Sequence, residues 1–143
     1  MEEALTFHDR HGHNVAAILS TPDKPTTGLA VLCHGFLSGK NSTTNTTLTR
    51  LLNEQGLATF RFDFFGQGES DGPFEAITTT LAIAQTEAAL DLVAAKGYDR
   101  IGLVGSSFGG LVAILTTARR QGIACLALKC PVVDFAEELR VTF

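Results

Sequence analysis

Ile101-Gly-Leu-Val104-Gly105-Ser106-Ser107-Phe108-Gly109-Gly110 decides how this chain folds. Ile101 to Val104 is a short apolar strand, and Phe108 to Gln121 reads as a helix stopped by Gly122. Between them lies G-x-S-x-G, where such a pentapeptide belongs when a strand turns sharply into a helix. The central residue of so tight a turn has its side chain lifted clear of the backbone. Glycines at 105 and 109 leave room where strand and helix crowd together. The spacing selects Ser107 over Ser106. The helix start aims free N–H groups and the positive end of its dipole at the turn, so the Phe108 N–H is a donor for a developing oxyanion. The competing reading is a glycine-rich turn whose serine merely caps the helix.

Working outward, Leu29 to Cys33 is a continuous apolar run, as expected of a strand covered on both faces. It ends in His34-Gly35-Phe36, a loop that offers the Phe36 N–H as a second oxyanion donor. His34 reads as a structural histidine shaping that loop. Cys33 and His34 point to opposite faces and do not pair. Thr43 to Gln55 is a helix, capped by Ser42 or Thr43 and stopped at Gly56. Leu57 to Phe62 is a strand, and Asp63 to Pro73 a glycine-rich loop. Glu75 to Lys96 reads as one helix with a core stripe of Ile77, Leu81, Ala84, Ala88, Leu92 and Ala95. Ile123 to Lys129 is the last strand, closed by Pro131. Leu5 to His8 and Val15 to Leu19 flank Gly12 and Asn14 as a hairpin. The order β-β-β-α-β-α-β-α-β predicts an α/β fold: a mostly parallel sheet with helices on both faces and the hairpin at one edge.

Composition narrows the function. The 143 residues suit one domain, and 45% hydrophobic against 18% charged residues excludes a disordered chain. A net charge of −4 argues against nucleic acid or an anionic membrane as partner. No apolar run is long enough to span a bilayer, and no secretory leader precedes the hairpin, so a cytoplasmic protein is expected. Cys33, Cys125 and Cys130 are then buried free thiols, and the sequons at Asn41 and Asn45 carry no glycan. Gly35 to Ser42 fails the spacing of a phosphate loop, and no G-x-G-x-x-G follows a strand, so no cofactor is expected. His8, His11 and His13 show no obvious carboxylate or cysteine partner and read as a solvated hairpin, so no metal is expected either. Phe60, Phe62, Phe64 and Phe65 read as packing residues.

His34-Gly35, the loop Arg61-Phe-Asp63-Phe-Phe-Gly66-Gln-Gly68-Glu-Ser70-Asp71-Gly72, and Gly105-Ser-Ser107-Phe-Gly109-Gly110 follow one another as in the α/β-hydrolases. The chain resembles the branch holding serine aminopeptidases, monoacylglycerol lipases and cinnamoyl (feruloyl) esterases. The resemblance implies an eight-stranded sheet, a Ser–acid–His triad and hydrolysis of an ester or a related acyl bond, and we expect an esterase acting on small acyl esters. It implies Ser107 as nucleophile and the Phe36 and Phe108 N–H groups as oxyanion donors. It makes the loop holding Asp63, Gly66 and Gly68 a brace for the site.

The family's triad runs serine, acid, histidine along the chain. Here all four histidines, His8, His11, His13 and His34, precede Ser107. Of the acids that follow, Asp134 stands where some relatives carry the triad acid. A serine without a base is a weak nucleophile, so the isolated chain is expected to be inactive. Residues 1–143 then read as the N-terminal part of one hydrolase domain, truncated after about the sixth strand. The last strand becomes an apolar edge prone to self-association. Two alternatives stay open: a non-catalytic interaction module, and an acyltransferase or perhydrolase on the same fold.

Overall fold

In a computed structural model, which describes residues 1–134, 136 and 140, the chain forms a six-stranded sheet. The strands are β1 (Glu2–His8), β2 (Asn14–Ser20), β3 (Gly28–Cys33), β4 (Ala58–Phe62), β5 (Arg100–Ser106) and β6 (Ile123–Lys129). The helices are α1 (Thr43–Glu54), α2 (Thr79–Ala95) and α3 (Phe108–Arg119). The sheet order is β1-β2-β4-β3-β5-β6, with β1 and β2 antiparallel at one edge and β4, β3, β5 and β6 mutually parallel. This is the expected α/β architecture. Gly12 closes the first turn at φ 84° and Gly56 ends α1 at φ 78°, both in the left-handed region that glycine enters without penalty. Ser42 caps α1, its side chain accepting the Asn45 N–H at 3.2 Å.

Strand periodicity divides the two faces. On β4, Ala58, Phe60 and Phe62 join the main core with residues of α2 and α3. Thr59 and Arg61 point the other way, where both hydrogen-bond to Thr49 of α1. The helices therefore cover both faces. A run of ring contacts crosses the core: Phe7 to Phe62, Phe62 to Phe64 at 5.1 Å, Phe64 to Phe108 at 5.7 Å. Phe60, Phe62, Phe64 and Phe65 are all buried, as expected of packing residues.

Three expectations need correction. The helix read over Glu75 to Lys96 is two elements, a 3-10 turn at Phe74–Ala76 and α2. Thr78 interrupts it because its extended backbone lets the side chain accept the Leu81 N–H and cap a new start. The buried face of α2 is also rotated from the predicted stripe. Ala82, Ile83, Thr86, Ala89, Leu90 and Val93 lie inward with Ala84 and Gln85, while Ile77, Leu81, Ala88, Leu92 and Ala95 are half-buried or exposed. Finally, Cys33 is buried but Cys125 and Cys130 are exposed. β6 lies at the sheet margin, and all of its residues after Ile123 are exposed.

Candidate active site

Parallel pairing builds the site. β3 and β5 are neighbours, with Cys33 opposite Gly105, so the loops leaving their C-terminal ends emerge side by side. One begins His34-Gly35-Phe36; the other is Ser107. Ser107 has φ 54° and ψ −118°, a strained conformation for a residue with a side chain. Three backbone bonds to its carbonyl, from Gly110, Leu111 and Val132, hold the turn, and its own N–H donates to Lys129 O at 3.0 Å. Its side chain makes no capping bond to α3, although it occupies the cap position. The turn has no spare volume. A Cβ on Gly109 would overlap the carbonyls of Cys33 and His34, and one on Gly105 would stand 2.8 Å from Ala113 Cβ. Gly35 lies directly against Ser107.

Phe36 and Phe108, which carry the two expected oxyanion N–H groups, are brought together across this junction, their rings 6.2 Å apart and edge-on. Phe36 also packs on Phe74 at 5.1 Å. His34 is buried. Its Nδ1 lies 2.6 Å from Gly35 O, and its Nε2 lies 3.0 Å from the Phe64 N–H. A carbonyl can only accept and an amide N–H only donate, so the ring is the neutral Nδ1–H tautomer. Burial depresses its pKa against the pull of the Gly35 carbonyl and the nearby Asp63. Both ring nitrogens are thus spent on fixing the loop.

The Asp63 to Gly72 loop grips the other side of the His34 loop. Asp63 Oδ1 accepts the Lys40 N–H at 2.7 Å, and Oδ2 takes both Lys40 Nζ at 2.6 Å and the Glu69 N–H at 3.0 Å. Glu69 Oε2 adds a second contact to Nζ at 3.0 Å. Burial would lower the Lys40 pKa, but these two carboxylates outweigh it and raise it. Gln67 Oε1 accepts the Ser38 N–H at 3.3 Å. Gly66 and Gly68 are at φ 75° and 55°, and a side chain on Gly68 would collide with the Asp63 carboxylate.

Two contributors escaped the sequence reading. Gln85, buried in α2, accepts the Phe65 N–H at 2.9 Å and donates to Asp9 Oδ2 at 3.1 Å. Asp9 in turn pairs with His13 Nδ1 at 2.9 Å, the carboxylate partner that the hairpin histidines were thought to lack. The one available signal for Gln85 was an amide directly after the apolar run Leu81 to Ala84. Asn45 is buried. Asp134 is exposed, two residues past Val132. None of the four histidines hydrogen-bonds to Ser107. Among the described residues no group of three or more histidine, cysteine or acidic side chains is placed to hold a metal, and no helix is long and apolar enough to cross a membrane.

The fold is that of an α/β-hydrolase. The chain belongs to the family described as serine aminopeptidase, S33, which it matches over residues 24–142. It is similar to Est1E from Butyrivibrio proteoclasticus, solved with ferulic acid bound, at 30% identity and TM-score 0.81, covering 86% of this chain and 51% of that one. The α/β-hydrolase GrgF from Penicillium sp. sh18 shares the fold at 19% identity and TM-score 0.85, covering 99% of this chain and 50% of the other. Among curated proteins, an uncharacterized 31.7 kDa protein of the traX-finO intergenic region of Escherichia coli is 32% identical over 115 residues, 74% of this chain and 38% of that protein. The chain thus spans well under two thirds of the length of each of these relatives.

Proposed function

We propose that this chain carries the nucleophile and the oxyanion loop of a serine ester hydrolase acting on small acyl esters. The observation that supports it most is Ser107 itself. It sits at φ 54° between β5 and α3, with its side chain not committed to capping the helix and Gly35 against it. In this reading Ser107 Oγ attacks the ester carbonyl carbon. The N–H groups of Phe36 and Phe108 receive the negative charge on the carbonyl oxygen, and the alcohol leaves to give an acyl-enzyme. Water then releases the acid. The serine proton needs an acceptor, and His34 is ruled out for that task by its two existing bonds. In this reading the general base is not one of this chain's four histidines. Asp134 is the candidate acid of this proposal, exposed beside the segment that binds the Ser107 carbonyl.

A fluorophosphonate probe tests the reading. One adduct on Ser107, slow because no histidine is bonded to it and absent in Ser107→Ala, is the expected result. Labelling that survives Ser107→Ala overturns it. The lack of any histidine at Ser107 favours a second reading, a non-catalytic interaction module. That reading expects no adduct and a stable complex with a partner protein. Self-association through β6, whose Leu126 and Leu128 are exposed, is part of the main proposal. Sedimentation should show a concentration-dependent mass that Leu126→Lys abolishes, and a monomer at all concentrations removes it.

A further inference from the structure

Gln85 is fully buried in α2, yet both ends of its amide are bonded. The Asp9 carboxylate only accepts, so it fixes which end is the NH2 group. The carbonyl end is left to take the Phe65 N–H at 2.9 Å. The preceding amide, the Phe64 N–H, goes to His34 Nε2 at 3.0 Å. Two consecutive N–H groups just past β4 are thus held by side chains from two different elements. His34 passes the constraint on, because its Nδ1–H holds the Gly35 carbonyl at 2.6 Å. That carbonyl and the Phe36 N–H belong to one planar trans peptide and point opposite ways, so fixing the first aims the second. At the other end the His13 ring, bonded to Asp9, rests on Phe65 with centroids 4.7 Å apart.

We propose that Gln85, oriented by Asp9, is a positioning residue for the oxyanion amide of Phe36. This rests on the reading of Ser107 as nucleophile and of the Phe36 N–H as its oxyanion donor. Gln85 touches no substrate and acts through Phe65, Phe64 and His34. With Gln85 in place the His34 ring keeps one tautomer, and the Gly35–Phe36 peptide keeps one plane. Without it the Phe65 N–H is buried with no acceptor, and the segment after β4 shifts to find one. The His34 ring and the peptide turn with it. A donor aimed away from the developing charge stabilises that charge less.

The test is fluorophosphonate labelling of Ser107, followed to saturation at about pH 8 and about pH 5.5. Gln85→Leu should lower the limiting rate about tenfold and leave the half-saturating probe concentration unchanged, because only the charged transition state needs the donor. Gln85→Glu keeps the shape. At pH 8 its carboxylate faces that of Asp9, itself paired with His13, and labelling should be slow relative to wild type. Adjoining carboxylates retain a proton more readily than one alone. At pH 5.5 the protonated Glu donates to Asp9 and accepts from Phe65, and the rate should return to that of wild type at the same pH. Ala89→Gly weakens the same helix one turn further on and should label at the wild-type rate. NMR gives a second readout: the His34 Nδ1 proton should be sharp in wild type and lost to exchange in Gln85→Leu and, at pH 8, in Gln85→Glu. Wild-type rates in both Gln85 variants overturn the proposal and leave the nucleophile standing. So does a Glu variant slowed alike at both pH values, or an Ala89→Gly variant slowed as much as Gln85→Leu. If Gln85→Leu does not fold, the Glu variant decides. No adduct on wild type overturns the nucleophile reading and this purpose of Gln85 with it, and an unchanged His34 proton in the Gln85 variants overturns the link itself.

Discussion

Gly35 stands against Ser107: a methyl group on Gly35 would come within 3.3 Å of Ser107 Cβ and 3.9 Å of its Oγ. The requirement for glycine here is steric, because Gly35 is not among the residues at positive φ. The first contact is tighter than carbon atoms ordinarily tolerate, yet a shift of a few tenths of an ångström relieves it. Gly35→Ala should therefore fold with a small loss of thermal stability. The shift falls on the nucleophile, and a displacement near 1 Å can cost about a hundredfold in rate. Fluorophosphonate labelling of Ser107 should slow by roughly ten- to a hundredfold. An unchanged labelling rate would mean that the spacing of these two residues does not matter to the hydroxyl.

The three thiols should separate cleanly in alkylation. Burial pushes the Cys33 pKa up to about 12, only partly offset by Thr86, while Cys125 and Cys130 are exposed on and just beyond β6. The thiolate is the reactive form, so Cys33 is protected twice, by access and by protonation. Iodoacetamide at pH 8 should modify Cys125 and Cys130 in the native protein, with Cys33 following only in denaturant. Peptide mass spectrometry reads this directly, and early modification of Cys33 would contradict its packing under α2.

The same strand shows where sequence reasoning stopped. The run Ile123 to Lys129 was legible as a strand and as an exposed edge, yet its cysteine was read as buried. Exposure depends on neighbours, and a strand's own residues do not name them. The site's turn, by contrast, was readable because its constraints are local: Gly105, Ser107 and Gly109 lie within one pentapeptide. The α2 face was misplaced for a related reason. That helix is so rich in alanine and leucine that several stripes fit its period, and only packing chooses among them. Gln85 and Asp9 are bonded across 76 residues of chain, a separation that pattern reading does not span.

Asp9 makes the protein acid-sensitive in a predictable direction. Burial would raise its pKa, but bonds from His13, Gln85 and the backbone N–H groups of His13 and His11 outweigh that and hold it below 3.8. A carboxyl depressed by folding adds stability that is complete above its unfolded pKa and is lost as pH falls through the folded one. Urea midpoints should therefore drop between about pH 4 and pH 2 more steeply in wild type than in Asp9→Asn. At pH 7 the variant should be less stable by about 1–3 kcal/mol, since an amide oxygen that keeps the His13 and Gln85 side-chain bonds leaves an NH2 group facing the His11 and His13 N–H groups. Parallel pH profiles for the two proteins would show that Asp9 contributes nothing to the acid transition.

Ser107 should be a site where function opposes stability. Its φ of 54° and ψ of −118° strain any residue with a Cβ, and the bonds from Gly110, Leu111 and Val132 to its carbonyl keep the turn in place. Alanine carries the same Cβ and so keeps the strain. Ser107→Ala should match the wild-type unfolding midpoint within about 0.5 kcal/mol, as a substitution that leaves no buried group unpaired. Glycine adopts the conformation freely, so Ser107→Gly should gain about 1 kcal/mol despite the entropy it adds to the unfolded chain. Both variants should lose the fluorophosphonate adduct. The contrast isolates backbone strain from the hydroxyl, because only the first differs between alanine and glycine. A glycine variant less stable than the alanine variant would show that the turn is relaxed and that nothing is stored there to hold the hydroxyl out.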